Sequence, residues 1–366
     1  MKRALVVGGT GPSGPYLLQG LLDRGFDVAM FHTGRHELAE LPPVEHVHGD
    51  PFSPEGIADA LAGRAFDVVI ATYGRVRAIA AEVAGRTGQF VSVSGTPVYR
   101  GFVTPAALSP PGLPVGVTED APLVPPEGIE GEVYGSASIR RTEDAVFDLH
   151  RRGAFSATVF RYPSIYGPRN PHHWEWPAIR RILDGRSFLV VPDGGLAVHS
   201  RLSAWNAAQA VLLAVDHPAE AAGEAFNCAD DEQFSLRQWL ELTMEHAGGR
   251  LELVSVPGDL PSPGWTTVVF HYSGSKHVIV DTSKIRARLG YRDAVPAREG
   301  LARTVEWILA NREQAGSWAV LDPFDYAEED RFVAVWREAL DGPARVAARW
   351  RKLSMPLPQT TKGAAG

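Results

Sequence analysis

The stretch Leu5-Val6-Val7-Gly8-Gly9-Thr10-Gly11-Pro12-Ser13-Gly14 opens the chain with an apolar strand and a glycine-rich turn. A leucine-rich segment, 16–22, follows at once and has the composition of a helix. Three glycines stand three residues apart: the first turns the chain, the second lets backbone N–H groups approach a phosphate, and the third lets the helix lie on the strand. The turn therefore predicts a dinucleotide site, and a plain strand-to-helix turn is the alternative. The residues expected to contact the dinucleotide here are Gly8, Thr10, Gly11, Pro12, Ser13 and Gly14.

The composition is that of an ordinary globular protein. Of 366 residues, 45% are hydrophobic and 22% are charged, which allows a large core and argues against disorder. The net charge of −7 gives no general attraction to nucleic acid or to anionic lipid. Cys228 is the single cysteine, so no intramolecular disulfide can form, and no apolar run approaches the length of a membrane span. We expect a soluble, cytoplasmic protein with a small-molecule substrate and with neither a nucleic-acid nor a membrane partner.

The end of the second predicted strand bears on the choice of dinucleotide. Strand 26–31 leads into His32-Thr33-Gly34-Arg35, where a site of this kind would hold the adenosine ribose. The nearby acidic residues come too early or too late to bind a 2′-hydroxyl, whereas Arg35 could pair with a 2′-phosphate. The sequence therefore favours NADP, with NAD as the alternative, and a solvent-exposed arginine in a turn is the simpler interpretation. Asp50, after the third strand, is predicted to accept from an adenine amino group or to form a turn.

The order of elements predicts an α/β fold with a Rossmann-type, doubly wound parallel sheet. Further strands are expected at 44–48, 66–71, 89–94 and 157–161, alternating with helices at 57–61, 79–83 and about 133–150. We assign residues 1–165 to an NAD(P)-binding Rossmann domain. Residues 166–366 are assigned to a smaller C-terminal substrate lobe and a C-terminal extension, with about 196–230 returning to the Rossmann core. The proline-rich segment 98–131 is expected to be a lid or substrate loop.

Four later segments complete a pattern with the glycine turn. They are Ser94 through Val98-Tyr99, Tyr134-Gly135-Ser136-Ala137-Ser138, Arg161-Tyr162-Pro163-Ser164-Ile165-Tyr166-Gly167-Pro168, and Asp281-Thr282-Ser283-Lys284 with Leu289-Gly290-Tyr291. Over roughly residues 1–312 the chain resembles the extended short-chain dehydrogenase/reductases, also called NAD-dependent epimerases/dehydratases. The resemblance implies an NAD(P)-dependent oxidoreductase, epimerase or dehydratase that acts on a sugar derivative or a hydroxylated small metabolite. Dimers are common in the family, so a homodimer is compatible with it.

The resemblance also implies catalytic residues, one of which departs from the family pattern. It implies that Ser94 holds a substrate oxygen and that Tyr134 handles the proton. Where the family has a lysine that stabilises the tyrosine phenolate, this chain has Ser138. Thr96 is the alternative to Ser94, because Ser94 precedes Tyr99 by one residue more than is usual in the family. Three interpretations stay open: a relay through Ser138 and water, a redox enzyme with another acid/base, or a non-catalytic dinucleotide-binding sensor or scaffold.

The remaining expected contacts lie at strand ends and in the second lobe. For the cofactor they are Thr72, Tyr73, Pro163 and Ser164, and for the substrate Thr96, His172, His173, Trp174, His199 and Arg201. No metal site is predicted, because the adjacent histidines at 172 and 173 and the carboxylates near them lack ligand spacing. The family's spacing Tyr-x-x-x-Lys is present at residues 272–276, but a glycine within it and a following strand-like run favour coincidence over an active-site motif.

Overall fold

The computed structural model describes residues 1–35, 38, 40–130, 135–263, 276–317 and 322–347. Side chains are described within these ranges except at 315–317 and 343–347. Within the described residues, no helix is both long enough and apolar enough to cross a membrane.

A seven-stranded parallel sheet forms the centre of the molecule. Its strands are β1 (Arg3–Val7), β2 (Asp27–His32), β3 (Glu45–His48), β4 (Phe66–Ala71), β5 (Thr87–Gly95), β6 (Ser156–Tyr162) and β10 (Glu224–Asn227). They lie in the order β10-β6-β5-β4-β1-β2-β3, and every neighbouring pair is parallel. The order reverses direction next to β1, and such a reversal opens a crevice at the carboxyl ends of the strands. The predicted α/β class and doubly wound parallel sheet are confirmed.

Helices cover both faces of the sheet because its strands are apolar on both faces. One layer consists of α2 (Pro54–Leu61), α3 (Val76–Glu82) and α4 (Ser136–Arg151). The other consists of α1 (Gly14–Asp23), α6 (Ala204–Asp216), α7 (Pro218–Ala221) and α9 (Ser283–Leu289). The segment from α6 to β10 thus packs on the first half of the chain.

A smaller lobe is built from the remaining elements. Two short parallel pairs join β7 (Ser164–Tyr166) to β9 (Arg201–Ser203) and β8 (Phe188–Pro192) to β11 (Glu252–Val256). The helices of this lobe are α5 (Trp176–Leu183), α8 (Leu236–His246), α10 (Ala297–Ala310) and α11 (Tyr326–Ala347). Short 3₁₀ helices lie at Thr96–Val98, Pro105–Ala107, Asp193–Gly195 and Arg312–Ser317.

The C-terminal helix α11 is tied to the lobe through a buried arginine. Arg181 Nη1 donates to Asp322 Oδ2 at 2.7 Å, and its Nε and Nη2 donate to Glu329. All three side chains are at most 2% exposed. Val333 on the same helix is buried against the β8–β11 pair. Beyond residue 312, for which the sequence suggested no role, Asp322, Glu329 and Val333 are therefore packed against the lobe.

Candidate functional site

A cavity of about 790 Å³ lies at the carboxyl ends of the central strands and reaches the smaller lobe. The predicted residues that line it are Gly8, Thr10, Gly11, Pro12, Ser13, Gly14, Thr72, Tyr73, Ser94, Thr96, Pro163 and Ser164. From the lobe side it is lined by Arg169, Asn170, Pro171 and Trp307, none of which the sequence had singled out. One continuous space thus joins the glycine turn to the end of β5 and to the loop after β6.

The glycine turn has the local geometry that its sequence predicts. Gly8 has φ +114°, a conformation that strains a residue with a Cβ. A Cβ on Gly14 would lie 2.2 Å from the carbonyl oxygen of Gly9, so only glycine lets α1 start this close to the turn. A Cβ on Gly11 would meet nothing within 4 Å. The turn therefore leaves open space at Gly11, which fits a phosphate held by backbone N–H groups near a helix N-terminus.

The turn at the end of β2 contributes to the cavity, but not through Arg35, the residue predicted to contact the cofactor there. His32 and Thr33 line it, whereas Arg35 is exposed and does not, its backbone N–H donating to Thr33 Oγ1 at 3.3 Å. Asp50 also lies off the cavity, and its Oδ1 accepts from the N–H of Phe52 at 2.8 Å. Of the two interpretations offered for Asp50, the structure displays the turn.

Ser94 stands at the end of β5 and is bonded to a buried ion pair. Its Oγ donates to Glu143 Oε1 at 2.5 Å. Arg161 Nη2 donates to Glu143 Oε2 at 2.7 Å, and Nε donates to the same carboxylate at 3.1 Å. The side chains of Arg161 and Glu143 are only 4% and 3% exposed. Because the hydroxyl proton is directed at the carboxylate, Ser94 presents lone pairs rather than a proton to the cavity.

The buried network continues away from the cavity through Tyr99. Arg161 Nη1 donates to Tyr99 Oη at 3.1 Å and to the carbonyl of Glu119 at 3.0 Å, and Tyr99 donates to Asn227 Oδ1 at 2.6 Å. Burial raises the pKa of Tyr99 to about 12. Burial opposes the charge on Arg161, but its bonds to Glu143 outweigh that cost and raise its pKa. The guanidinium therefore stays charged and holds Glu143 in place.

Sequence reasoning missed Glu143. The residue lies on a predicted helix, where a carboxylate ordinarily faces solvent. The only available signal was the pairing of an acidic position on that helix with Arg161 on the neighbouring strand, and this pairing becomes visible only when α4 is packed on β5 and β6.

Two of the three predicted catalytic residues can be placed. Tyr134 lies outside the described residues. Ser138 is exposed on the first turn of α4 and lines an adjoining pocket that shares Ser94 and Ile139 with the main cavity. Lys276 donates from Nζ to the carbonyl of Phe102 at 3.3 Å, and Phe102 lines the main cavity. Burial lowers the pKa of Lys276.

The residues expected to contact substrate from the second lobe do not line the cavity. Arg201 donates to the carbonyls of His199 and Phe234 at 3.2 and 3.1 Å, because β9 pairs with β7 and directs the side chain into the lobe. His173 is buried, with its ring 5.4 Å from that of Trp307, and burial lowers its pKa to about 4.

Two neighbours of His173 lie closer to the surface. His172 is exposed and donates its backbone N–H to Asn170 Oδ1 at 3.2 Å, and Trp174 is half-buried. Of the expected substrate residues, only Thr96 reaches the cavity.

Arg169 is a cavity cation that the sequence had not indicated. Its Nη1 lies 3.8 Å from Oε2 of the well-exposed Glu40, a weak pairing. Its Nε is buried and has no hydrogen-bond partner within the described part of the chain. Arg169 therefore has donor capacity left for an anionic group in the cavity.

Part of the chain is similar to a known protein family. Residues 127–229 match the family model described as the NAD dependent epimerase/dehydratase family. This match confirms the resemblance to that family. Curated relatives include a dTDP-glucose 4,6-dehydratase of Streptomyces niveus, 25% identical over 310 residues, covering 75% of this chain and 79% of that protein. A dTDP-glucose 4,6-dehydratase of Actinoplanes is 25% identical over 62% of this chain. The chain spans 61% of the Actinoplanes protein and 57% of a matched Sinorhizobium fredii protein.

Solved structures show the same fold. UDP-glucose 4-epimerase of Thermotoga maritima, determined with UDP-glucose, superposes with a TM-score of 0.67 at 19% identity, covering 85% of this chain and 99% of that one. dTDP-glucose 4,6-dehydratase of Bacillus anthracis, determined in complex with NAD, superposes with a TM-score of 0.64 at 17% identity, covering 88% and 100%.

Proposed function

We propose that this chain, which matches the NAD-dependent epimerase/dehydratase family over residues 127–229, binds a nicotinamide dinucleotide and acts as an oxidoreductase, epimerase or dehydratase on a sugar derivative. The single observation that carries the proposal is the continuous cavity from the glycine turn past Ser94 to Pro163 and Ser164. A site for a redox dinucleotide must hold the phosphates of the cofactor and also place its nicotinamide beside the substrate carbon. This cavity offers room for both.

The described residues fit a dinucleotide. The open space at Gly11 and the start of α1 suit the pyrophosphate, His32 and Thr33 suit the adenosine ribose, and Pro163 and Ser164 suit the nicotinamide end. When bound, the nicotinamide would supply hydride transfer. Arg35 lies outside the cavity with its side chain in solvent, and we propose that it turns toward the 2′-phosphate of a bound NADP. This contact is the basis for proposing NADP over NAD.

For the substrate we propose a sugar carrying a phosphate or diphosphate. Arg169 supports this choice, since its buried Nε would donate to a phosphate oxygen within the cavity. Ser94 would then accept a hydrogen bond from a substrate hydroxyl, because its own proton is held by Glu143. This hydrogen bond would fix the position of the substrate hydroxyl, and loss of its proton to a nearby base would require that proton to turn away from Ser94.

Tyr134 remains the proposed acid/base, acting without the family's lysine. Ser138 is exposed, so a relay through it would run by way of water at the edge of the site. Replacing Ser138 with lysine should lower the pH at which a Tyr134-dependent step becomes effective, because a nearby ammonium stabilises the phenolate. An unchanged pH profile in Ser138→Lys, or unchanged turnover in Tyr134→Phe, would refute this assignment.

Binding is tested by calorimetric titration of the full chain with NAD and with NADP. Gly11→Val places its side chain in the open space of the turn and should abolish binding without unfolding the protein. Gly342→Val is the matched control, since a Cβ there also meets nothing within 4 Å but stands on α11 away from the cavity. If Gly11→Val bound as tightly as the control, the dinucleotide would not lie along this turn.

The second candidate function is a non-catalytic dinucleotide sensor or scaffold. The observation that favours it is the serine at position 138, which removes the usual activating charge. Hydride exchange with a panel of nucleoside-diphosphate sugars separates the two functions. An enzyme shows exchange that Ser94→Ala and Tyr134→Phe reduce, whereas a sensor binds the dinucleotide with no exchange on any member of the panel.

A further inference from the structure

We infer that His32, His46 and His48 form a binding site for a divalent transition-metal cation of the zinc class at the edge of the central sheet. Each residue offers one imidazole nitrogen, and the three nitrogens lie within 4.8 Å of one another. The site does not depend on the proposed function, although its effect on dinucleotide binding does.

Strand register explains why three imidazoles meet here. β2 and β3 are parallel neighbours in which His32 is paired with His48 and Met30 with His46. Residues two apart on a strand point to the same face, so His46 and His48 form a His-x-His pair beside His32. The sequence places His32 fourteen residues before His46, and only the pairing of β2 with β3 makes one cluster of them.

The spacing suits a metal ion bound by nitrogen. Zinc binds imidazole nitrogens at about 2.0–2.1 Å in tetrahedral geometry, which sets ligand nitrogens about 3.4 Å apart. His32 Nε2 and His46 Nδ1 are separated by 3.2 Å. The rings meet edge to face, with centroids 5.0, 4.9 and 6.1 Å apart, so they converge through their edges, where the nitrogens lie. Three histidines would leave a fourth position for water or for an oxygen of a ligand.

Burial and surroundings favour a cation that binds neutral imidazole. His32 is 5% exposed, while His46 and His48 are open to solvent, so an ion has a path of entry and one sheltered ligand. Three neutral imidazoles at this spacing would supply three bonds to one metal ion. A zinc-class cation is preferred to calcium or magnesium, because those ions take oxygen ligands.

The site adjoins the ribose end of the cavity. His32 lines the cavity, and its Nδ1 accepts from the backbone N–H of Gly34 at 3.3 Å. A metal bound at Nε2 of His32 requires the ring proton to move to Nδ1, which ends the Gly34 contact. Occupancy would then shift the turn that carries Thr33 and Arg35 and add positive charge beside it. We expect the metal to change the affinity for the dinucleotide.

The experiment titrates metal-free full-length protein with Zn²⁺ by calorimetry and with Co²⁺ by its visible absorption, which reports nitrogen ligation. Wild type should bind one ion per chain. His46→Gln and His48→Gln should each weaken binding at least tenfold, and the double variant should lose the Co²⁺ spectrum. Both positions are exposed, so the variants should fold, as thermal denaturation would verify. His172→Gln, an exposed histidine outside the cluster, is the matched control and should bind as wild type does.

The inference is overturned if wild type binds no Zn²⁺ at millimolar concentration, or if the double variant binds it as tightly as the His172→Gln control. A parallel titration with NAD and NADP, with and without Zn²⁺, separates this inference from the proposed function. Zinc binding with no dinucleotide binding would refute the proposed function and leave the metal site standing. Dinucleotide binding with no zinc binding would refute the metal site and leave the proposed function standing.

Discussion

Two buried arginines, Arg161 and Arg181, form similar ion pairs that have different roles. Arg161 pairs with Glu143 beneath the central cavity, and Arg181 pairs with Asp322 and Glu329 in the smaller lobe. Each guanidinium is almost fully buried and each has its pKa raised by carboxylate partners that outweigh the cost of burial. The first network ends at the hydroxyl of Ser94 on the cavity, whereas the second ends at helix α11. A buried ion pair therefore does not mark a functional site by itself, and what its outermost member faces decides its role.

The largest expected effect follows from removing the buried arginine of either network. Arg161→Met and Arg181→Met each leave buried carboxylates without a partner, which should lower the free energy of unfolding by about 3–5 kcal/mol. Urea denaturation measures both losses. Arg24→Met, which removes a partly exposed pair with Asp216, is the control and should cost about 1 kcal/mol or less. A loss under 1 kcal/mol at either buried position would show that its network is not held as a unit.

The second prediction concerns His173, which is buried in the smaller lobe in its neutral form. The pKa of His173 is lowered to about 4 by burial, against about 6.5 in an unfolded chain. The folded state binds fewer protons than the unfolded state between these values, so stability rises with pH across the window and is lost as pH falls from 6.5 to 4. Wild type should lose about 2–3 kcal/mol more than His173→Gln over this interval.

Thermal or urea denaturation of the two proteins at matched pH values measures the difference. Asp230, whose pKa burial raises to about 7, acts with the opposite sign and is common to both proteins, so it cancels in the comparison. Parallel pH profiles for wild type and His173→Gln would show that this histidine is not buried in its neutral form.

The third prediction separates the two networks by function. Glu143→Gln and Asp322→Asn each replace one carboxylate of a buried arginine pair by a neutral amide of the same shape. Both should destabilise the protein, but only Glu143→Gln should lower turnover, by at least tenfold, because the amide can donate to Ser94 and reverse the direction of its hydrogen bond. Steady-state kinetics at a temperature where both variants are folded measure this. Equal turnover in the two variants would remove Glu143 from the site.

The smallest expected effect concerns an arginine that is exposed. Arg35→Ala should leave stability unchanged and weaken NADP binding about tenfold while sparing NAD, since a single charge-assisted contact contributes about 1.5 kcal/mol. Arg75→Ala, which changes an exposed arginine at the start of α3 that does not line the main cavity, is the control. Equal losses for NAD and NADP, or none for either, would reject Arg35 as the residue that selects the 2′-phosphate.

Much of the fold could be predicted because its signals are local. The predicted bounds of β1, β2, β4 and β6 agree with the observed bounds within one or two residues. A strand buried on both faces is a short, nearly unbroken apolar segment, which a sequence displays directly. The pairs β7–β9 and β8–β11 were not predicted. Each joins segments that are distant in the chain, and the two strands of β7–β9 are only three residues long.

The sequence by itself determined the glycine turn, the order of strands and helices, and the residues that follow the strand ends, because backbone conformation and apolar periodicity act over a few neighbouring residues. The tertiary structure decided which side chains meet. It brought Glu143 to Ser94, turned Arg201 into the lobe, placed Arg169 on the cavity and gathered His32 with His46 and His48. Such contacts join residues up to tens of positions apart and depend on packing and register, which no local pattern encodes.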